Sequence, residues 1–320
     1  MSAQVQRGGT CSTLQDAGRT GLRHLGVGRG GALDAYSHAI ANLLVGNAPD
    51  ATVLEVTLRG PCLRFERAAR IALCGAPFDA QVDGVALPAW CSARVPAGAT
   101  LDIGACRVGM RACLAVAGGF DAPIVLGSTG TDLRAGFGGL EGRALRPGDT
   151  LHWHGTPDVA SFELERGWID WTPDLVFADA MQVRVLPGRD ALAAPDALVD
   201  TAWRVASASN RQGLRLDGEA LALATPRESV SEPVAPGTVQ LPPDGRPIVL
   251  LADAQTVGGY PRIGHVCSAD LPRLAQARPG TLLHFVRIDA SAAAAAEREQ
   301  RQRLARIALA IAQRDAHAPR

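Results

Sequence analysis

Glycine and proline punctuate this chain so densely, 35 and 21 among 320 residues, that most apolar runs have room only to be short strands. Runs of this kind occupy Thr52–Leu58, Ile71–Leu73, Phe78–Val82, Thr100–Ile103, Arg111–Val116, Met181–Leu186 and Thr281–Ile288. Short strands separated by Gly, Pro and Asp turns predict a mainly β chain of barrels or sandwiches. Helical signals are few. Ala35–Val45 carries Ile40, Leu43 and Leu44 on one face and stops at Gly46-Asn47. Ser268 is placed to cap Ala269–Ala277, which ends before Pro279-Gly280. Alanine-rich Ala290–Arg314 has high helix propensity, with Leu304, Ile307, Ala308 and Ile311 at helical spacing, and is expected to dock on the surface rather than serve as a partner contact.

A chain of 320 residues fits two domains of roughly 100–200 residues better than one core. Its halves echo each other. Arg146-Pro147-Gly148 before Thr150–Trp153 matches Arg278-Pro279-Gly280 before Leu282–Phe285, and Ala117–Phe120 resembles Val257–Tyr260. Gly21-Leu22-Arg23 likewise resembles Gly213-Leu214-Arg215, so order is kept while spacing shifts. The pattern predicts one β-rich unit over 1–160, a second over 161–289, with the join near Gly155–Phe177, and a helical tail over 290–320.

Acidic and basic residues number 32 each, so the net charge is zero, which argues against a nucleic-acid or anionic-membrane partner. No apolar run approaches the roughly 20 residues of a membrane helix and the N-terminus is polar, so a cytoplasmic chain is expected. Seven cysteines in no paired spacing indicate neither a disulfide framework nor a zinc site, and His152-x-His154 lacks a third ligand nearby. One absence excludes more. The chain contains no lysine at all, so it can form no lysine-bearing phosphate loop, no Schiff base and no biotinyl-lysine.

Polar residues gather in a few glycine-rich stretches. Pro247–Leu251 reads as a buried strand delivering Asp253, Gln255, Thr256, Gly258-Gly259 and Tyr260 on one loop, either a ligand site or a hydrogen-bonded loop knot. Asp16, Gly18 and Arg19 precede Gly30-Gly31 and Asp34. Asp16 and Arg19 could hold an anion or pair with each other; Asp34 could bind a ligand or cap the helix that follows. Gly127–Asp132 with Gly136–Gly139 lacks the strand–helix context of a dinucleotide loop. Ser209–Arg215 brings Asn210 and Arg211 together with no local need for the pair. Side chains from these distant stretches are expected to share one arginine-lined pocket.

These stretches carry a family resemblance. T-L-Q-D-A-G-R at 13–19, G-G-A-L-D at 30–34, A-N-L-L-V-G-N at 41–47, L-E-V-T at 54–57 and A-V-A-G-G at 115–119 fall in one order. S-N-R-Q-G-L-R-L at 209–216, V-Q-L-P-P-D-G-R-P-I at 239–248 and A-D-A-Q-T-V-G-G-Y-P at 252–261 follow. The chain resembles the biotin-dependent carboxyltransferase or allophanate hydrolase subunit 2 family, and within it the stand-alone branch of 5-oxoprolinase C-type chains and KipA-like proteins. The resemblance implies cyclophilin-like β-barrel units. It further implies an ATP-hydrolysing 5-oxoprolinase, opening the 5-oxoproline lactam to L-glutamate together with B-type and A-type partner subunits. ATP would be shared with or held by those partners, with no biotin attached to this chain and no metal site. Two alternatives stand beside it: a biotin-dependent carboxyltransferase component acting on urea or a related amide, and a KipA-like regulatory protein that pairs with a B-type partner. Ala254 stands where the family often has His, so any role of that imidazole is absent.

A lactam resists hydrolysis at neutral pH, and phosphorylation of its oxygen would activate it. Such chemistry needs anion stabilisation and a placed base. The residues expected to supply these are Arg19 and Arg211 as anion holders and Asp253 as base or orienting carboxylate. Gln255 and Tyr260 are expected as lactam hydrogen-bond partners, with Asn210, Asp16, Asp34, Glu55 and Gln240 as further binding candidates.

Overall fold

The computed structural model describes residues 1–155, 161–165, 178–225 and 230–317 and is mainly β. The chain divides into two compact units, one of Met1–Arg19, Gly30–Leu175 and Arg303–Arg320, the other of Thr20–Arg29 and Val176–Gln302. Thr20–Arg29, which sequence spacing places in the first unit, therefore belongs with the second. The join expected near Gly155–Phe177 falls mostly outside the described residues.

The first unit is built from two antiparallel six-stranded sheets. One runs Thr150–His152, Ser2–Arg7, Cys62–Phe65, Thr100–Cys106, Phe78–Val82, Val85–Ala86; the other runs Glu163–Leu164, Ser92–Val95, Ala69–Gly75, Arg111–Val116, Val53–Thr57, Cys11–Gln15. The alternating burial of Phe78–Val82 shows one face turned to the core and one to solvent. Arg111–Val116, by contrast, is buried at every position. It has sheet neighbours on both sides, and the helix Ala35–Leu44 packs on it and on Ala69–Gly75. That helix starts where Asp34 accepts from the Ser37 backbone N–H at 2.9 Å and from its hydroxyl at 2.6 Å.

The second unit is a closed seven-stranded barrel in the order Ala180–Pro187, Arg262–Val266, Thr238–Gln240, Ile248–Leu250, Gly213–Asp217, Trp203–Val205, Leu282–Arg287. Closure comes from the parallel pairing of Leu282–Arg287 with Ala180–Pro187 over six residue pairs. Register carries one apolar face around the ring: Val183 opposite Phe285, Trp203 opposite Leu283, Val205 opposite Leu216, Leu214 and Val239 opposite Val249. All are buried, so this face lines the interior. Thr238 and Gln240 alternate with Val239 and so point outward.

The repeated Arg-Pro-Gly turn is real as geometry. Gly148 and Gly280 sit at φ +93° and +92°, and in each turn the residue after glycine donates to the arginine carbonyl, at 3.2 and 3.0 Å. The cap expected from Ser268 is not formed. Ser268–Asp270 is a 3-10 turn with no side-chain cap, and Leu271–Ala275 follows it. Asp270 is taken instead by Arg184, accepting its backbone N–H at 2.7 Å and its guanidinium at 2.6 and 3.0 Å. The terminal helix Ala290–His317 docks its first turns on the second unit. Ala293 and Ala296 pack with Cys267, Ala269 and Ile288, and Gln300 Nε2 donates to the Ala269 carbonyl at 3.1 Å. No helix among the described residues is long and apolar enough to cross a membrane.

Candidate functional site

In the first unit the polar stretches fold onto one another at the end of strand Cys11–Gln15. Asp16 Oδ1 accepts from the Gly18 N–H at 2.8 Å and the Ser128 hydroxyl at 2.6 Å, while Oδ2 accepts from the Thr129 N–H at 2.8 Å. The Ala32 N–H donates to the Asp16 carbonyl at 2.9 Å, so three sequence-distant loops share one aspartate. Arg19, expected to hold an anion, has a structural use instead. It is 2% exposed, with Nε donating to the Val125 carbonyl at 3.2 Å, Nη2 to the Gly130 carbonyl at 2.7 Å, and its guanidinium 4.6 Å from the Phe137 ring centroid.

Glu55 and Asp34 are likewise built into the fold. Glu55, 2% exposed, accepts from the Leu33 N–H at 2.7 Å and lies 4.0 Å from the Nε of Arg111, itself 3% exposed. Asp34 is the helix cap, the structural one of its two expected uses. His38 lies on the same helix and donates to the Ala51 carbonyl at 2.8 Å. Burial pushes its imidazole below its ordinary range, although the Ala51 hydrogen bond and the charges of Asp16, Glu55 and Asp50 pull the other way.

In the second unit the strand Ile248–Leu250 does deliver the loop expected of it. Asp253 Oδ2 and Oδ1 accept from Arg211 Nε and Nη2 at 2.7 and 3.1 Å, a fork-on-carboxylate pair with both side chains 10% exposed. The backbones are zipped alongside, Asp253 N–H to the Arg211 carbonyl at 3.1 Å and Leu251 N–H to the Gln212 carbonyl at 2.9 Å. Asn210 makes the turn that presents Arg211: its Oδ1 accepts from the Gln212 N–H at 2.8 Å. A carboxylate with both oxygens on one guanidinium is built to hold that guanidinium in place. Of the two uses expected for Asp253, the geometry matches orientation rather than proton abstraction.

Gln255 reaches the barrel wall, donating from Nε2 to Gln240 Oε1 at 3.3 Å, whereas Tyr260 is 46% exposed. Thr238 Oγ1 lies 3.5 Å from His265 Nδ1 on the neighbouring strand, and burial pushes the His265 imidazole down. The structure thus joins Arg211, Asp253 and Asn210 in one cluster and Gln240 with Gln255 in another. A third feature had no signal in the sequence. Glu232 accepts from Arg189 Nη1 at 2.6 Å and from Arg262 Nη2, tying a two-stranded ribbon to the barrel. Nothing in Ser231-Glu232-Pro233 sets that glutamate apart from the chain's other acidic residues.

Residues 25–287 match the family described as carboxyltransferase domain, subdomain A and B. The chain is 42% identical to the C subunit of 5-oxoprolinase from Escherichia coli, over 89% of this chain and 90% of that one. It is 38% identical to the corresponding C subunit from Haemophilus influenzae, over 86% and 87%. Among solved structures, the Kluyveromyces lactis urea amidolyase superposes with a TM-score of 0.89 at 26% identity, covering 96% of this chain and 20% of that one. A putative urea carboxylase of Emericella nidulans is 34% identical over 81% of this chain and 22% of its own length. With the family match spanning both units, the chain belongs to the carboxyltransferase domain family that includes the 5-oxoprolinase C subunits and the urea carboxylases.

Proposed function

We propose that this chain is the C-type subunit of an ATP-dependent 5-oxoprolinase, opening the 5-oxoproline lactam to L-glutamate with B-type and A-type partner subunits. One observation carries the proposal. The chain and the two 5-oxoprolinase subunits match over nearly their whole lengths, 90% and 87% of the relatives, whereas it matches 16–22% of the urea enzymes. Without a lysine, these residues carry no biotin of their own, which suits the 5-oxoprolinase reading.

The chemistry assigns work to the second unit's loops. Phosphoryl transfer from ATP to the lactam oxygen turns a poor electrophile into a good one. Water then adds at the carbon, the C–N bond breaks as the ring nitrogen takes up a proton, and a second water hydrolyses the resulting acyl phosphate to glutamate and phosphate. Arg211, fixed by Asp253, is the candidate to stabilise the phosphorylated oxygen; Gln255, Gln240 and Tyr260 are the candidates to seat the ring. The nucleotide is assigned to the partner subunits or to a surface shared with them, since the chain has no lysine for a phosphate loop.

Carboxyl transfer to urea or a related amide is the second reading, favoured by the 0.89 TM-score to the Kluyveromyces lactis urea carboxylase. Purifying the chain with its partner subunits and measuring ATP turnover with 5-oxoproline and with urea separates the two. Glutamate formation with 5-oxoproline alone supports the first. Turnover with urea that needs an added biotin carrier supports the second.

A further inference from the structure

Two side-chain amides meet end to end on the outside of the second unit's barrel. Gln240 points outward, because its neighbour Val239 lies on the interior face, yet it is 1% exposed. The loop carrying Gln255 and Gly258 covers it. Gln255 takes the Oε1 end of Gln240, and a Cβ on Gly258 would sit 2.7 Å from its Nε2. Among the described residues Nε2 has no hydrogen-bond partner. A buried donor left in that state opposes folding, and most buried polar groups avoid it. Because Oε1 is held by Gln255, the donor end of Gln240 is the end presented.

The cover over this donor is slight. Val257–Gly258 forms a two-residue strand paired with Glu232–Pro233, a ribbon that is a sheet separate from the barrel. It is held by the Thr256 carbonyl accepting from the Val234 N–H at 3.0 Å, by Glu232 between Arg189 and Arg262, by Arg262 Nη1 donating to the Pro233 carbonyl at 3.3 Å, and at its edge by Arg23 donating to the Val234 carbonyl. Opening so small an element exposes few groups, whereas opening the barrel would break a closed ladder.

We propose that Gln240 Nε2 is the hydrogen-bond donor for the carbonyl oxygen of a small amide substrate, and that the ribbon of Glu232–Pro233 and Val257–Gly258 lifts to admit it. This rests on the lactam reading, with the ring carbonyl of 5-oxoproline as the acceptor. A neutral amide donor suits that oxygen: it pairs with the carbonyl without demanding a full charge, and substrate binding satisfies a group that the closed fold leaves unpaired.

Gln240→Met keeps the chain length and removes the donor. In the complex with partner subunits, the variant should raise the KM for 5-oxoproline about tenfold, the worth of one hydrogen bond, and leave the KM for ATP unchanged. Its melting temperature should hold or rise. A lowered melting temperature with an unchanged KM makes Gln240 a structural residue and overturns the proposal. A wild-type complex that does not turn over 5-oxoproline removes the lactam reading, and this donor role with it. Glu232→Gln tests the cover without touching either amide. Weakening the clasp enlarges the open population, so the KM for 5-oxoproline should fall about two- to fivefold; an unchanged or higher KM refutes the lifting ribbon. Should Gln240→Met not fold, hydrogen exchange in the wild-type complex decides. Added 5-oxoproline must change exchange at residues 256–259, and no change overturns the proposal.

Discussion

Asp253→Asn is the most informative single change in the second unit, because Asp253 and Arg211 form a pair that is nine-tenths withdrawn from solvent. The wild-type carboxylate accepts two charge-assisted hydrogen bonds, at 2.7 and 3.1 Å. Each such bond is worth about 1.5–3 kcal/mol. Asparagine keeps one oxygen, turns an NH2 toward a guanidinium that can only donate, and removes the negative charge that faces the arginine. The expected loss of stability is about 2–4 kcal/mol. Removing both partners with Asp253→Asn and Arg211→Met should cost less than the two single changes added together, because no stranded charge remains. The expected coupling is about 2 kcal/mol. Urea unfolding of the four proteins closes the cycle, and a coupling below about 0.5 kcal/mol would refute the idea that the carboxylate fixes the guanidinium. The same variant reads out function. In the assembled complex Asp253→Asn should lower kcat for 5-oxoproline at least about tenfold, since a misplaced guanidinium no longer meets the developing charge. The shape of the pH–rate profile should be kept. A profile stripped of its acidic limb would make Asp253 the base instead, and unchanged turnover would end both roles.

Three further outcomes are expected. Arg19→Ala breaks two carbonyl contacts and a ring contact around the Gly130 loop and should lower stability by about 2–3 kcal/mol in urea unfolding. Arg19→Lys should recover only part of it, because an ammonium cannot reach both carbonyls and the ring. Glu55→Gln strips the charge beside a nearly buried arginine and should cost about 3 kcal/mol; a cost under about 1 kcal/mol would show that the pair is not coupled. Burial makes the His38 imidazole harder to protonate in the fold than in the unfolded chain, so the unfolded chain takes up its proton first as pH falls. Its contribution is therefore present above the ordinary histidine range and lost below it. His38→Gln, which keeps a donor for the Ala51 carbonyl, should flatten the decline of stability between about pH 7 and pH 5. An identical slope in the variant would contradict that assignment.

Periodicity and punctuation made most strands readable. Phe78–Val82 and Arg111–Val116 occur with the bounds expected, and Ala35–Leu44 ends one residue short. The same signals could not show that the Ser268 cap would give way to a 3-10 turn, in which the Leu271 N–H donates to the Ser268 carbonyl, or that Arg184, 86 residues away, would claim Asp270. The candidate residues divide in a similar way. Asn210, Arg211 and Asp253, which the structure brings into one cluster, stood out in the sequence because polar side chains gather there on loops. Arg19 misled for a physical reason. Its acceptors are backbone carbonyls of Val125 and Gly130, and carbonyls carry no trace in residue identity. Gln240 entered only through the family motif at 239–248, and its unpaired Nε2 depends on where Gly258 comes to rest.

The short excursion Thr20–Arg29 has a consequence for how the chain matures on the ribosome. Arg23 reaches the carbonyl of Val234, 211 positions downstream, and Gly28 lies against the carbonyl of Ala254. At ordinary elongation speeds the intervening polypeptide takes roughly 10–40 s to emerge. Through that interval ten early residues are without their destination while the sheets on either side of them can already be forming. Assembly is therefore not strictly vectorial. The last stitch of the later unit is made with thread drawn from near the start of translation.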